Sequence, residues 1–173
     1  MSDWQLRALN RNDAESYLAH WLALSGPVRY RCFGRIVSEA ELHRLAETLV
    51  VEGRMLCGMF APDGTLACVA QAFPCGDGCF ELSFSVLPQW RGNGFARNAG
   101  ERLCRMLGAR GARELRLRCQ RSNLPMRALA VCLGFDLSVR GDGLVGVRTL
   151  MRPGAGGLRA DLAQASNQPG VPL

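Results

Sequence analysis

The residues from Gln89 to Ala96 have the types and spacing to bind a phosphate group. The stretch follows an alternating segment typical of a strand and leads into apolar residues with helical spacing. A strand, a short turn and a helix start leave several backbone N–H groups free around one point, and the helix dipole adds positive potential there. Gly92 and Gly94 carry no side chain, so a phosphate can approach the backbone. The stretch predicts a site for a diphosphate-bearing ligand; the alternative is a tight connection only.

The spacing Gln-x-x-Gly-x-Gly after a strand resembles the coenzyme A diphosphate loop of the GNAT superfamily of acyltransferases. Further along, Asn123 precedes a short helical pattern that ends in Gly134-Phe135, in the order that family shows. Residues 31–45 look like the N-terminal part of a subgroup that includes bacterial protein lysine acetyltransferases. The resemblance covers roughly residues 4–151.

The resemblance implies an α+β fold of the GNAT type, with a mixed, mostly antiparallel central sheet of six or seven strands and about four flanking helices. It implies an acyl-CoA-dependent N-acyltransferase that takes acetyl-CoA as co-substrate, releases coenzyme A and needs no metal. The acceptor amine, a protein lysine or a small molecule, would attack directly in a ternary complex. The alternative is a domain that binds acyl-CoA without turnover, as a sensor or interaction module.

In GNAT proteins the donor arm lies along the strand before the diphosphate loop, and that strand splays from its neighbour to open a slot. The resemblance implies binding by backbone groups of this strand and of the loop. On this chain the implied residues are Phe84, Ser85, Val86, Arg91, Gly92, Asn93, Gly94, Phe95 and Ala96. Asn123 is expected to hydrogen-bond the pantetheine arm from the facing side.

Glu81 is the candidate general base. It begins an otherwise apolar alternating strand and lies eleven residues before Gly92, the offset at which the resembling protein acetyltransferases place a catalytic Glu. Partial burial there would make its carboxylate a better proton acceptor. The other interpretation is a solvated strand-edge residue beside the turn at Gly78. Many GNAT enzymes carry a Tyr acid where this chain has Ala130, which keeps the non-catalytic alternative open.

The charge pattern agrees with a ligand rich in phosphate. The net charge is +6, and all 21 basic residues are Arg. Residues 91–127 hold ten Arg against two Glu, a net charge of +8. Coenzyme A carries three phosphate groups, so these arginines need no nucleic acid to explain them. A basic nucleic-acid-binding domain ranks last, because no aromatic residues alternate with the arginines. Genome composition explains the absence of Lys but not the clustering.

Length and composition favour one domain, which we place at residues 1–151, followed by a flexible C-terminal tail at 152–173. No apolar run approaches the ~20 residues that span a bilayer, and the N-terminus lacks a basic start before an apolar segment. We therefore expect a cytoplasmic protein that makes no membrane contact. A homodimer is left open.

Eight cysteines are expected to be reduced thiols in such a compartment. Cys75 and Cys79 flank Gly-Asp-Gly, which predicts a hairpin turn; a metal or redox pair is the alternative, but no second Cys/His pair stands at zinc spacing. His20 and His43 are expected to be surface or packing residues.

Apolar periodicity and turn residues predict the elements that position this site. Strands are expected at residues 4–9, 55–60, 66–73, 79–86, 114–119, 136–140 and 145–151. Two early helices are expected, with capping boxes at Asn12/Glu15 and Ser38/Glu41. The first is ended by Gly26-Pro27. Two later helices are expected at residues 95–108 and 125–133, and Glu101 is expected to pair with Arg105.

Overall fold

A computed structural model describes residues 3–48 and 54–150 of the chain. In this part the strands are β1 (Gln5–Ala8), β2 (Met55–Phe60), β3 (Leu66–Gly76), β4 (Cys79–Val86), β5 (Glu114–Gln120), β6 (Asp136–Arg140) and β7 (Gly143–Thr149). The helices are α1 (Ala14–Ala23), α2 (Gly26–Phe33), α3 (Glu39–Glu47), α4 (Phe95–Ala109) and α5 (Leu124–Cys132). Short 3-10 helices lie at Arg11–Asp13 and Pro88–Trp90.

The strands form one mixed sheet in the order β1-β2-β3-β4-β5-β7-β6. Every neighbouring pair is antiparallel except β4 and β5, which run parallel. The parallel connection passes through α4, as a parallel pair requires a crossover. The predicted α+β class with a mixed, mostly antiparallel sheet is confirmed, and the sheet has seven strands where six or seven were expected.

Two hydrophobic clusters cover the two faces of the sheet. On one face Cys57, Leu82 and Leu117 pack with the inner side of α4 and α5, including Leu103. On the other face residues such as Leu56 pack with α1 and α3. Successive residues of a strand thus belong to clusters on opposite faces of the sheet, because side chains alternate between the two faces along a strand. The side chains at even positions of β4 face α4, and those at odd positions face α1 and α2.

One of the two predicted capping boxes is confirmed, and the other is wrong. Ser38 and Glu41 form the expected capping box of α3. The first capping box, however, joins Asn10 to Asp13 and not Asn12 to Glu15.

The surface ion pair on α4 is Arg97–Glu101, at 2.8 Å, and not Glu101–Arg105. Either Arg lies one turn from Glu101.

The helix α2 was missed by the sequence analysis. The sequence predicts that Gly26-Pro27 ends the first helix, but α1 already ends at Ala23 and Pro27 lies in the first turn of a new helix. Proline is well suited to that position because its missing N–H has no intrahelical partner there. The described part therefore has five α-helices where about four were expected.

The expected tail at residues 152–173 lies outside the described residues. Within residues 3–48 and 54–150, no helix is long and apolar enough to cross a membrane.

Candidate active site

The strands β4 and β5 separate after a short parallel pairing. Their register runs from Cys79↔Glu114 to Leu82↔Leu117 and then stops, although both strands continue. Residues 83–86 keep β3 as a partner on one side, and in the described part of the chain no strand pairs with them on the other. The gap is part of a cleft of about 830 Å³ lined by β4, β5, α2, α5 and the start of α4. Such a volume suits a ligand of cofactor size.

The glycine loop forms one end of this cleft. Gly92 and Gly94 have φ of 80° and 74°, and an added Cβ at either would meet no atom within 4 Å. The first hydrogen bond of the helical pattern runs from Asn98 N–H to the Gly94 carbonyl. The N–H groups of Phe95, Ala96 and Arg97 therefore have no intrahelical partner. Free amides, open space and the positive end of a 15-residue helix are the features that favour an anion at this end of the cleft.

Two polar side chains of the loop brace it from within. The Asn93 amide donates to the carbonyls of Trp90 and Arg91 at 3.0 and 3.2 Å, and Asn93 does not line the cleft. The Arg91 guanidinium donates to the Val86 carbonyl at 3.3 Å. Arg91 thereby ties the loop to the end of β4.

The missed helix α2 forms a wall of the cleft. The Cys32 thiol donates to the Phe84 carbonyl at 3.4 Å, and the Ser83 hydroxyl donates to the Cys32 carbonyl at 3.4 Å. Burial raises the pKa of the Cys32 thiol to about 11, with Arg31 and Arg91 opposing the shift. The thiol therefore keeps its proton and acts as a donor. The end of α2 is thus pinned to the unpaired part of β4.

The Ser85 side chain points away from the α4 face, towards α1. His20 is buried, with its Nε2 at 2.8 Å from the Ser85 hydroxyl and its Nδ1 at 2.7 Å from the Leu66 carbonyl. Because a carbonyl only accepts, Nδ1 carries the hydrogen and Nε2 accepts from Ser85. Burial lowers the pKa of His20 to about 4. His20 is thus the packing residue that the sequence predicts, with a defined role in fixing β4.

Glu81 lies on the cleft wall that faces α2. Its side chain is 36 % exposed, and its Oε2 lies 3.5 Å from the Nε of Arg118, whose side chain is 71 % exposed. The carboxylate thus contacts both solvent and a cation. The partial burial that the sequence analysis expects is present, but the neighbouring Arg118 was not foreseen.

The facing side of the cleft is the start of α5. Asn123 lines the cleft and caps this helix, because its side-chain oxygen accepts from the Met126 N–H at 3.3 Å. Its amide N–H₂ makes no hydrogen bond within residues 3–48 and 54–150 and is free to donate. Ala130, where many GNAT enzymes carry Tyr, is fully buried against the sheet and does not line the cleft.

The expectation of reduced thiols at Cys75 and Cys79 is wrong for this structure, where the two form a disulfide across the β3–β4 hairpin. Gly76 and Gly78 have positive φ, which lets the turn bring the two Cα atoms to 5.3 Å. In the described residues, no group of three or more Cys, His, Asp and Glu side chains could hold a metal ion.

The cleft brings together all but one of the residues that the sequence marks as candidates, the exception being Asn93. Sequence reasoning missed Arg118 as a neighbour of Glu81. The alternation of Leu and Arg along β5 was a usable signal, because it places Arg116 and Arg118 on the face opposite Leu115 and Leu117. The pairing of Glu81 with Arg118 also needs the β4–β5 register, which one sequence does not contain.

A sheet split between two parallel strands, with a glycine loop at a helix start beside the split, is typical of acyl-CoA-dependent acyltransferases. Residues 16–135 match the Acetyltransferase (GNAT) family, so the chain belongs to this family. No curated protein sequence matches the chain.

Solved structures share the fold. The GNAT domain of S. lividans PAT is similar over 85% of this chain and 90% of that chain, with a TM-score of 0.72 and 18% identity. Ribosomal-protein-alanine N-acetyltransferase from Brucella melitensis is similar over 84% of this chain and 99% of that chain, with a TM-score of 0.69 and 18% identity. A phosphinothricin acetyltransferase from Sinorhizobium meliloti, in complex with acetyl-CoA, is similar over 85% of this chain and 88% of that chain, with a TM-score of 0.68 and 21% identity. Family and fold identify a GNAT acetyltransferase.

Proposed function

We propose that this protein transfers an acetyl group from acetyl-CoA to an amine, with Glu81 as the general base. The observation that carries the proposal is the opening of the glycine loop into the gap between β4 and β5, with Glu81 on its wall. The acetyl-CoA bound by the Sinorhizobium meliloti relative supports the choice of donor.

In this proposal the diphosphate is held by the free amides of residues 92–97. Arg91 and Arg97 add positive charge at the same end of the cleft. The pantetheine arm runs along the unpaired side of β4, past backbone groups of residues 84–86, and the Asn123 amide donates to it from the facing side. The acetyl group then lies in the gap between β4 and β5.

The reaction begins when the Glu81 carboxylate takes a proton from the acceptor ammonium, directly or through water. The neutral nitrogen attacks the thioester carbonyl carbon and forms the C–N bond. The C–S bond breaks and its electron pair leaves with sulfur. The second nitrogen proton passes through solvent to the thiolate, which gives the amide and free coenzyme A. Ala130 cannot supply this proton.

A second candidate function is a domain that binds acyl-CoA without turnover. The burial of Ala130, at the position where many GNAT enzymes carry a Tyr acid, is the observation that favours it. Both candidate functions require acyl-CoA binding, and only the first includes acyl transfer, so a binding measurement alone does not distinguish them.

The test combines binding and turnover. Acetyl-CoA at ~100 times its dissociation constant should raise the free energy of unfolding by about 2.7 kcal/mol. Thiol release with a panel of amines then measures transfer. Glu81→Gln should lower the transfer rate about 100-fold or more and keep the affinity for acetyl-CoA.

Glu114→Gln is the matched control. Like Glu81, Glu114 is a half-buried strand residue that pairs with an Arg of β5, in this case Arg116, but it lies outside the cleft. Binding without transfer to any amine would favour the second candidate. Equal rates for the wild type and Glu81→Gln would remove Glu81 from its role.

A further inference from the structure

The cleft is also lined by charged side chains that the proposed binding of acetyl-CoA does not use. These are Arg31 at the end of α2, Glu81 on β4 and Arg118 on β5, which we call the acceptor wall. Glu81 and Arg118 lie on the same face of the sheet, since they contact each other.

The contact between Glu81 and Arg118 is loose. Nε and Oε2 are 3.5 Å apart and the pair makes no hydrogen bond, whereas Arg116 and Glu114 on the same sheet are hydrogen-bonded. In residues 3–48 and 54–150, Arg118 has no other charged partner, and Arg31 makes neither a hydrogen bond nor an ion pair. The acceptor wall therefore contributes two cations and one carboxylate to the cleft, and Arg118 is the cation beside the carboxylate.

The charged residues of the whole cleft also give it a net positive charge. Four Arg and one Glu line it in the described part of the chain: Arg31, Arg91, Arg97, Arg118 and Glu81. The phosphates of coenzyme A neutralise the loop end, which leaves the acceptor wall with a net positive charge. A basic peptide would meet repulsion there, whereas an anionic group would be attracted.

We infer that the acceptor amine carries a carboxylate close to its nitrogen, as a free α-amino acid does, and that Arg118 binds this carboxylate. The inference rests on the proposed function and names its acceptor class. An adjacent cation and anion complement a zwitterion, because the ammonium faces Glu81 while the carboxylate faces the Arg118 fork. Arg31 adds a second positive charge on the same wall.

The same arrangement assists the chemistry. A cation near the acceptor nitrogen disfavours its ammonium form, so Arg118 helps to supply the neutral amine that must attack. The loose contact means that little binding energy is lost when an acceptor replaces Glu81 as the partner of Arg118.

The first test compares an amino acid with its C-terminal amide as acceptor for the full-length protein. The amide has the less basic amine and thus more neutral amine at a given pH, so intrinsic reactivity favours it. We expect the free acid to have a kcat/KM about 10- to 100-fold higher, the range for one charge-assisted hydrogen-bonded contact. Equal values, or a preference for the amide or for a lysine peptide, would overturn the inference.

The second test repeats this comparison in Arg118→Gln, with Arg116→Gln as the matched control on the same strand and face. Arg118→Gln should lower kcat/KM for the free acid about 10- to 100-fold more than it lowers kcat/KM for the amide. Arg118→Lys should restore part of the loss, because it keeps the charge but not the fork. Equal losses for acid and amide would mean that Arg118 acts only on Glu81, and the inference would fail.

Two further outcomes separate this inference from the proposed function. Transfer to amines that lack a carboxylate, with no preference for amino acids, would keep the proposed function and remove the inference. Binding of acetyl-CoA with no transfer to any amine would remove both. The affinity for acetyl-CoA should be the same in Arg118→Gln and wild type; a selective loss of that affinity would instead assign Arg118 to coenzyme A.

Discussion

Replacement of Gly94 by Asp should weaken coenzyme A binding strongly through its negative charge, and Gly94→Asn provides the matched control for the added side chain. Gly94 is the N-cap of α4, has φ of 74° and faces open space. Asp and Asn are the side chains that best tolerate this left-handed conformation, and both favour helix N-caps. The two variants are nearly identical in shape, so their difference isolates one negative charge beside the proposed diphosphate.

The magnitude follows from Coulomb's law. A carboxylate about 5 Å from one phosphate charge costs ~1 kcal/mol in water, and more in a cleft that is partly dry. Two phosphate charges give ~2 kcal/mol or more, which corresponds to an affinity about 30-fold lower or worse. We expect the Asn variant to bind coenzyme A several times more weakly than wild type and the Asp variant at least ~30-fold more weakly than the Asn variant.

Titration calorimetry with coenzyme A measures the affinities, and urea unfolding without ligand measures the fold. The two variants should have free energies of unfolding within about 1 kcal/mol of each other, since both caps serve α4. If the Asp and Asn variants bound coenzyme A equally, no phosphate would lie near Gly94 and the assignment of the loop would be wrong.

Three other predictions concern stability. His20 has a pKa near 6.5 in the unfolded chain and about 4 in the folded chain, because burial disfavours its charged form. The contribution of neutral His20 to the free energy of unfolding is therefore fully present above pH 6.5 and is lost as the pH falls towards 4. We expect a loss of about 3 kcal/mol over that window, seen as a pH-dependent difference in urea unfolding between wild type and His20→Gln; a constant difference would contradict it. Reduction of the Cys75–Cys79 disulfide should lower the free energy of unfolding by about 2 kcal/mol or less, because the closed loop is short; no effect in wild type relative to Cys75→Ser/Cys79→Ser would show that the two thiols are unpaired in solution. Leu103→Ala, in the fully buried face of α4, should cost about 2–5 kcal/mol in denaturant unfolding, and a cost below 1 kcal/mol would place Leu103 outside the core.

Local patterns predicted the fold well where one segment contains its own signal. β2 begins and ends where a short apolar run and the turn residues after it place it, and the capping box of Ser38 and Glu41 needs only four consecutive residues. The start of the first helix was misplaced because both Asn10 and Asn12 are followed by an acidic residue three positions on. Sequence spacing does not decide between two such boxes, whereas the path of the chain after β1 does.

The candidate site was predicted in part for the same reason. The glycine loop and Glu81 lie within fourteen residues of each other and match one motif. The contacts of Ser85 with His20 and of Phe84 with Cys32 join residues more than fifty positions apart. They depend on how helices pack on the sheet, which periodicity does not specify. The Arg118 neighbour of Glu81 depends on strand register. The gap between β4 and β5 depends on it too, and was expected only through the resemblance to GNAT proteins.

The most direct measurement is the simultaneous detection of acetylated product and free coenzyme A by mass spectrometry, with wild-type protein, acetyl-CoA and a mixture of amino acids and lysine peptides. The account predicts one equivalent of coenzyme A for each acetylated amine, with turnover lost in Glu81→Gln and in Gly94→Asp but kept in Glu114→Gln. Acetyl-CoA that binds and stays intact with every amine, or turnover that is the same in all four proteins, would contradict it.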